Sequence, residues 1–407
     1  MAIPRSREAR RAITAVGAVT AMLALAACGG ESSSSEEKTD GPFTIGIVTS
    51  LTGNYQFLGP STEAGVQAAV EVINDNGGIN GRQVETVTCD DQTNPQTARS
   101  CFEKLVNGEG ADALVGFPLA AATDAVAPLV EQAKIPTWLL GGAYGGRDLH
   151  GQKYMFAGFP VTEDVLDAAF RWAQKQGYKD AWILASDDET GAPCQEFPDA
   201  SDEARHGIDV LGVNTMKADS TTAAPQMAQV DRDADFIFLC VSGGGGVVAA
   251  VAYEQAGLTM PAFAIHSQGA PFVANAMKGK VGNDKLHVAG FCPLGVGAGL
   301  TDEYACVSQV QEFSEALEGV APDISPDFFA ALGYDGAMLF AQAFEGVDDA
   351  DQVVSNLEAM DGVDAALGQY AFSSDVHRGI SSSQLLVGVY RDGEWVLADP
   401  LDLPKSD

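Results

Sequence analysis

From Phe43 onward, short β-rich runs and amphipathic helical runs take turns along the chain, and this alternation restricts the fold more than any other feature. "FTIGIVTS" is the first β-rich run. Behind it Val66, Ala69, Val70 and Ile73 recur at three- and four-residue spacing, which is one apolar face of a helix. "NDNGGINGR" ends that helix with glycines suited to a left-handed cap. "QVETVTCD", "PQTARSCFEKLV", "ADALVGF", "AATDAVAPLVEQAK" and "IPTWLLGG" continue as strand, helix, strand, helix, strand. Such an order predicts an α/β fold whose parallel sheet is covered on both faces.

The pattern restarts after "KYMFAGF". "DVLDAAFRWAQKQG", "CQEFPDASDEARHG", "APQMAQVDRD" and "GVVAAVAYEQAG" read as helices. They alternate with strands at "DAWILAS", "DVLGVNT", "ADFIFLCVS" and "PAFAIHS". "KLHVAGFCPLG" leads back towards the first domain, where "PDFFAALGYDGAMLFAQAFEG" and "DQVVSNLEAM" are helical. "QLLVGVYRDGEWVLA" is a hairpin turning at Asp392-Gly393. The expected architecture is two doubly wound parallel-sheet lobes joined by a multi-strand hinge. Lobe 1 is expected at residues 43–157 plus about 291–380, lobe 2 at 158–290 plus about 381–407. Crossings between lobes are expected near "YMFAGFP", "VAGFCPL" and the segment before "LLVGVY". Ligands in such sheets bind beyond the carboxyl ends of strands, so two facing lobes place the site in the cleft between them.

Residues 1–11 carry Arg5, Arg7, Arg10 and Arg11 against Glu8, and an uninterrupted small and apolar run follows from Ala12 to Ala27. That is the plan of a secretory signal, with a core shorter than the ~20 residues of a spanning helix. Leu25-Ala26-Ala27-Cys28 resembles the bacterial lipobox, in which the chain is cleaved before the cysteine and its sulfur is lipidated. The alternatives are an ordinary signal with an incidental cysteine, or an uncleaved anchor. Residues 28–42, rich in Ser, Glu and Gly, cannot bury enough surface to offset their ordering entropy and read as a tether. The expected product is extracytoplasmic and held to the cell membrane by lipid alone.

The whole chain carries a net charge of −33, and removal of residues 1–27, with four arginines and one glutamate, makes it more negative still. Nucleic acid and basic docking on anionic lipid are thereby disfavoured. Besides Cys28, the cysteines are Cys89, Cys101, Cys194, Cys240, Cys292 and Cys306. An even number in an exported chain favours disulfides, although six allow fifteen pairings. Nearness suggests Cys89–Cys101 and Cys292–Cys306, which leaves Cys194 with Cys240.

Catalytic motifs are missing. There is no G-x-S-x-G, H-E-x-x-H or G-x-x-x-x-G-K-[ST] sequence. "GVGAGL" at Gly295 has the wrong final spacing for a dinucleotide loop. "DRDAD" and "DDETG" start like calcium loops but lack the glycine and the distal Glu, and read as caps and loop acids. The five histidines, at 150, 206, 266, 287 and 377, show no metal-ligand spacing. Neither metal nor cofactor is expected. Binding is favoured over catalysis.

"IGIVTSLTGNYQFLG" followed by "EAGVQAAVEVINDNGGINGRQVETVTCDDQTNPQTA" resembles the solute-binding proteins of branched-chain amino acid (Leu/Ile/Val-type) ABC transporters. These are type I periplasmic binding proteins. The resemblance is specific over residues 43–105 and continues as an order of elements to about 395. It implies a monomeric two-lobe hinged receptor that delivers a small molecule to an ABC permease and its ATPase. A sensory receptor on the same scaffold is the alternative, with an enzyme third.

The resemblance also implies where the ligand sits. The loop after the first strand places Phe57 and Leu58 at the cleft. The first-lobe carboxylate clamp falls on Leu119, Ala120 and Ala121, and its companion segment on Gly141, Gly142, Ala143 and Tyr144. Backbone N–H donors survive at these positions, but the family's hydroxyls do not. In the second lobe Ser242 and Gly243 stand where the family often has an aromatic, and Thr190 matches another contact. His266, Ser267 and Gln268 occupy the loop that normally carries the acid for the ligand's ammonium. A buried ammonium without a partner costs several kcal/mol, about a hundredfold or more in affinity. Ordinary zwitterionic amino acids are therefore expected to bind poorly, and an aromatic or alicyclic carboxylate fits better; a true branched-chain amino acid binder is the alternative. Gly141, Gly142 and the run Gly243–Gly246 either enlarge the space or serve only as helix and turn devices.

Overall fold

The computed structural model describes residues 41–53, 55–141 and 144–406. The expected signal, Cys28 and nearly all of the tether lie outside the described residues. Strands β1 (Phe43–Thr49), β2 (Val84–Asp90), β3 (Ala113–Gly116), β4 (Thr137–Leu139) and β5 (Met155–Ala157) form one sheet in the order β2-β1-β3-β4-β5. Every pairing in it is parallel. Helices α1 (Gly59–Asp75), α2 (Pro95–Glu103) and α3 (Ala120–Ala133) are its crossovers. Central β3 is buried throughout and reads as an unbroken apolar run, whereas edge strand β2 is only partly covered.

A second, seven-stranded sheet uses β6 (Asp180–Ser186), β7 (Asp209–Met216), β8 (Phe236–Cys240), β9 (Ala262–Ala264) and β10 (Leu286–Gly290), all in parallel. After a separate two-stranded ribbon, β11 (Asp361–Asp364) and β12 (Gln369–Ala371), the hairpin of β13 (Leu386–Arg391) and β14 (Glu394–Asp399) completes it. The strand order is β14-β13-β10-β9-β8-β6-β7, with β13 antiparallel to β10. Asp392 (φ 51°) and Gly393 (φ 95°) both take the left-handed backbone of the expected two-residue turn.

The helices from the middle of the chain onward are α4 (Thr162–Gln176), α5 (Ala192–Glu196), α6 (Ala224–Met227), α7 (Gly243–Gln255) and α8 (Pro271–Met277). They are followed by α9 (Cys292–Gly297), α10 (Cys306–Val320), α11 (Phe328–Ala343) and α12 (Ala350–Glu358). Two expected helices are much shorter than their sequence runs. "CQEFPDASDEARHG" gives only the end of α5 and a 3-10 turn, Phe197–Asp199, because Pro198 lacks an N–H and crowds the preceding turn. "APQMAQVDRD" stops after α6, where the Asp231 carboxylate accepts from the Asp233 N–H (3.0 Å) and fixes a turn instead.

Helix α11 packs against α1 backbone to backbone: a Cβ on Gly65 would sit 1.9 Å from the Ala330 carbonyl oxygen. Asp327 caps α11 by accepting from Phe329 N–H (3.0 Å) and Ala330 N–H (2.9 Å). Disulfides join Cys89 to Cys101, Cys194 to Cys240 and Cys292 to Cys306. The chain changes sheet between β5 and α4, again along α10, and last between β12 and β13. The second change falls beyond "VAGFCPL": Cys292, Leu300, Tyr304 and Val307 still pack with Leu386 and Leu403. Among the described residues no helix is long and apolar enough to cross a membrane.

Candidate ligand site

Strand ends of both sheets open onto one cavity of about 420 Å³. The five-stranded side contributes Tyr55, Phe57 and Leu58 after β1, Pro118 to Ala121 after β3, and Leu140 after β4. The seven-stranded side contributes Asp188 to Thr190 after β6, Ser242 and Gly243 after β8, and Ile265 to Ser267 after β9. Phe159 and Thr162, at the first crossing, and Phe329 of α11 complete the wall. This is the position expected of parallel sheets, whose loops diverge on either side of a switch in strand order.

The wall is aromatic. Tyr55 stacks on Phe57 with centroids 5.6 Å apart, Phe57 lies 6.1 Å from Phe329, and Phe329 stands edge-on to Phe159 at 6.3 Å. Phe159 in turn meets His266 at 5.2 Å. Just behind the wall, Phe117 is fully buried with φ 63°. A bulky residue in the left-handed region is strained by about 1–3 kcal/mol, a cost that the surrounding fold must hold in place.

The polar groups are few and uneven. Burial, helped by the nearby Arg378 charge, lowers the His266 pKa to about 4, so the ring is neutral at pH 7. Its Nδ1 and the Ser267 hydroxyl are shielded from solvent and have no hydrogen-bond partner among the described residues. Thr190 Oγ1 and Ser242 Oγ lie 3.5 Å apart. Burial raises the Glu189 pKa, and Asp124 and Asp188 push it the same way. Among the described residues no lysine or arginine lines the cavity. Positive potential comes instead from the first turns of α3 and α7, which begin at the wall with no side chain capping them.

Of the residues expected at the site, the structure gathers Phe57, Leu58, Leu119, Ala120, Ala121, Thr190, Ser242, Gly243, His266 and Ser267. Gly142 and Ala143 lie outside the described residues. Gly141, Tyr144 and Gln268 are not on the wall. Tyr144 is buried edge-on to His150 at 5.2 Å. A Cβ on Gly141 would come within 2.9 Å of the Pro118 carbonyl oxygen, so this glycine permits a close approach of two loops. Gln268 is buried, donating through Nε2 to the carbonyls of Val241 (3.3 Å) and Gly243 (3.2 Å). It occupies the room above Gly246, where a Cβ would meet its amide carbon at 2.2 Å. These two glycines accommodate neighbouring groups and do not widen the cavity.

Sequence reasoning missed Tyr55, Pro118, Leu140, Phe159, Thr162, Ile265 and Phe329, and above all two acids. Asp188 serves its own loop, where its Oδ1 accepts from Ser186 Oγ (2.6 Å) and Gly191 N–H (3.1 Å). It reads as a loop acid for that reason, yet with Glu189 it brings carboxylates to the cavity from β6 instead of β9. The expectation of a site without an acid is thereby corrected.

Residues 42–393 match a family model described as "Periplasmic binding protein". The Leu/Ile/Val-binding protein homolog 3 of Brucella melitensis is 38% identical over 74 residues, 18% of this chain and 20% of that relative. The match thus spans about a fifth of the relative's length. An extracellular ligand-binding receptor from Rhodopseudomonas palustris HaA2 superposes with a TM-score of 0.76 at 18% identity, over 88% of this chain and 99% of that one. The branched-chain amino acid transporter substrate binding protein LivJ of Streptococcus pneumoniae, solved in complex with isoleucine, gives 0.71 at 20% identity, over 88% and 100%. At such identities the likeness is one of fold.

Proposed function

The chain belongs to the periplasmic binding protein family, a family of binding proteins and not of enzymes, and on that premise we propose that it is an extracytoplasmic receptor delivering a small organic ligand to an ABC importer. In this reading Cys28 carries the lipid anchor, and tethering holds the receptor at a high effective concentration beside its permease. One lobe is built on the five-stranded sheet and the other on the seven-stranded sheet. Ligand capture is closure of the two about the crossing segments.

The ligand we propose is a compact aromatic or alicyclic carboxylate. The observation that carries this reading is the wall of Tyr55, Phe57, Phe159 and Phe329 meeting the uncapped first turn of α3. The rings offer apolar area and the helix end offers N–H groups to an anion. Asp188 and Glu189 favour a second reading, a bulky zwitterionic amino acid whose ammonium lies against them.

Calorimetry with 3-phenylpropionate, cyclohexanecarboxylate, L-leucine and L-phenylalanine separates the two. The first reading expects the plain acids to bind at least about tenfold more tightly than the amino acids. Tighter binding of an amino acid, weakened by Glu189→Gln, would replace it with the second. No binding by any of the four would overturn both ligand readings and leave the fold untouched.

A further inference from the structure

On the far side of His266 lies a second cavity of about 440 Å³, which shares that one residue with the cleft. Its floor is apolar: Phe291, Phe328 and Trp395 line it, with Phe291 and Phe328 5.7 Å apart. Trp395 is only 8% exposed, and its indole Nε1–H has no hydrogen-bond partner among the described residues. A buried donor left unpaired is costly, and an acceptor reaching it would recover that cost. Lys278, exposed at the rim, makes no ion pair or side-chain hydrogen bond among the described residues. It is the one lysine or arginine among the described residues on the wall of either cavity. Two carboxylates share the wall: Glu394, exposed at the rim, and buried Asp327, whose Oδ1 is engaged by the Phe329 and Ala330 N–H groups. The balance of charge therefore admits at most one negative charge on an occupant, held at the Lys278 end.

We propose that this cavity is a second binding site, taking a small monoanionic aromatic acid with its ring against Phe291, Phe328 and Trp395 and its carboxylate on Lys278. Apolar floor, unpaired donor and lone cation together select an acceptor-bearing anion with a flat body. Phe328 begins α11, which packs on the five-stranded side, while Trp395 belongs to β14 of the other sheet. An occupant therefore touches both lobes and biases their closure. Because His266 borders both cavities, occupancy of one alters affinity at the other, and by linkage the coupling is reciprocal.

Whichever ligand fills the cleft, this second site stands or falls by itself. The test titrates 2-naphthoate calorimetrically into the unaltered chain, into Ala121→Trp, which fills the cleft cavity, and into Ala121→Trp with Lys278→Glu. One site should persist in Ala121→Trp, and Lys278→Glu should weaken it at least about tenfold without shifting the melting temperature of the free protein. In the unaltered background, Lys278→Glu should remove one component of the isotherm. Loss of all 2-naphthoate binding in Ala121→Trp, or an affinity indifferent to Lys278→Glu in both backgrounds, overturns the proposal.

Discussion

Phe57, on the loop after β1, and Phe272, near the start of α8, meet with ring centroids 5.1 Å apart and planes inclined at 42°. Phe57 lies on the five-stranded side and Phe272, on a helix packed against β14, on the seven-stranded side, so this ring pair spans the edge of the cleft cavity. Phe272 is 37% exposed and carries little of either core. An aromatic pair contributes about 0.5–1.5 kcal/mol beyond its buried area. Phe272→Ala should therefore leave the melting temperature within about 2 °C of wild type, while 3-phenylpropionate dissociates about two- to tenfold faster. Stopped-flow release kinetics would check this. A large melting shift with unchanged release would make Phe272 a core residue instead of a bridge.

Arg378 is a buried cation that donates to main-chain oxygens. Its guanidinium reaches the carbonyls of Gly146 (3.2 Å), Phe159 (3.0 Å), Gly141 (3.5 Å) and Tyr144. No carboxylate forms an ion pair with it among the described residues, and burial lowers its pKa to about 10. The side chain thus ties the loop after β4 to the first crossing segment, where Phe159 lines the cleft. Arg378→Met would strip donors from several buried carbonyls at once and should cost more than about 3 kcal/mol in urea unfolding. Arg378→Lys should recover only part of this, because an ammonium cannot span the fork of acceptors that a planar guanidinium reaches.

Such contacts explain what could be read from the sequence and what could not. The alternation from Phe43 gives the five-stranded parallel sheet and the parallel part of the seven-stranded one, because strand burial depends on local apolar runs such as Phe236–Cys240. The Asp392-Gly393 hairpin is equally local. Short helices were overestimated where Pro198 and the Asp231 turn outcompete a helical pattern. At the site, residues next to strand ends were legible, since topology alone places Leu119 or Ser242. Phe159 and Phe329 were not, because they arrive from a crossing segment and from a helix more than two hundred residues from β1. Gln268 was misplaced for a similar reason: only the missing side chain at Gly246 leaves it room to turn inward.

The neutral, buried His266 makes stability depend on pH with a defined sign. An unfolded chain takes a proton on this ring below about pH 6.5, whereas the folded ring does so only near 4. The stability from keeping it neutral is complete above 6.5 and is lost as pH falls through that window, at about 1.4 kcal/mol per unit. Asp327 and Asp335, raised by burial to about 6 and 7, act oppositely: their contribution is full near pH 4 and is lost as pH rises. The wild-type curve alone is therefore a composite. The difference between wild type and His266→Gln isolates the ring, and wild type should lose ground steadily from pH 6.5 to 4.5 in urea midpoints. A difference independent of pH would mean the ring titrates alike folded and unfolded.

The Cys194–Cys240 disulfide joins α5 to the end of β8 across 46 residues, and the cavity residues Thr190 and Ser242 sit just beside its two ends. Cys240 Sγ also lies 3.4 Å from the Thr190 carbonyl oxygen, so the bridge fixes the spacing of two loops that line the cleft. Cys89–Cys101, by contrast, closes only 12 residues and ties β2 to α2, neither of which lines the cavity. Loop-closure entropy predicts a cost of about 2–4 kcal/mol for each lost bridge, somewhat more for the longer loop. Affinity should separate the pair more clearly than stability. Cys194→Ala/Cys240→Ala should weaken 3-phenylpropionate binding about tenfold or more at a temperature where the protein stays folded, because Thr190 and Ser242 can then drift apart. Cys89→Ala/Cys101→Ala should leave that affinity within about twofold of wild type. Calorimetry at 10 °C on both double variants, each first checked by circular dichroism, decides the point; unchanged affinity in both would mean the bridges act only on the unfolded chain.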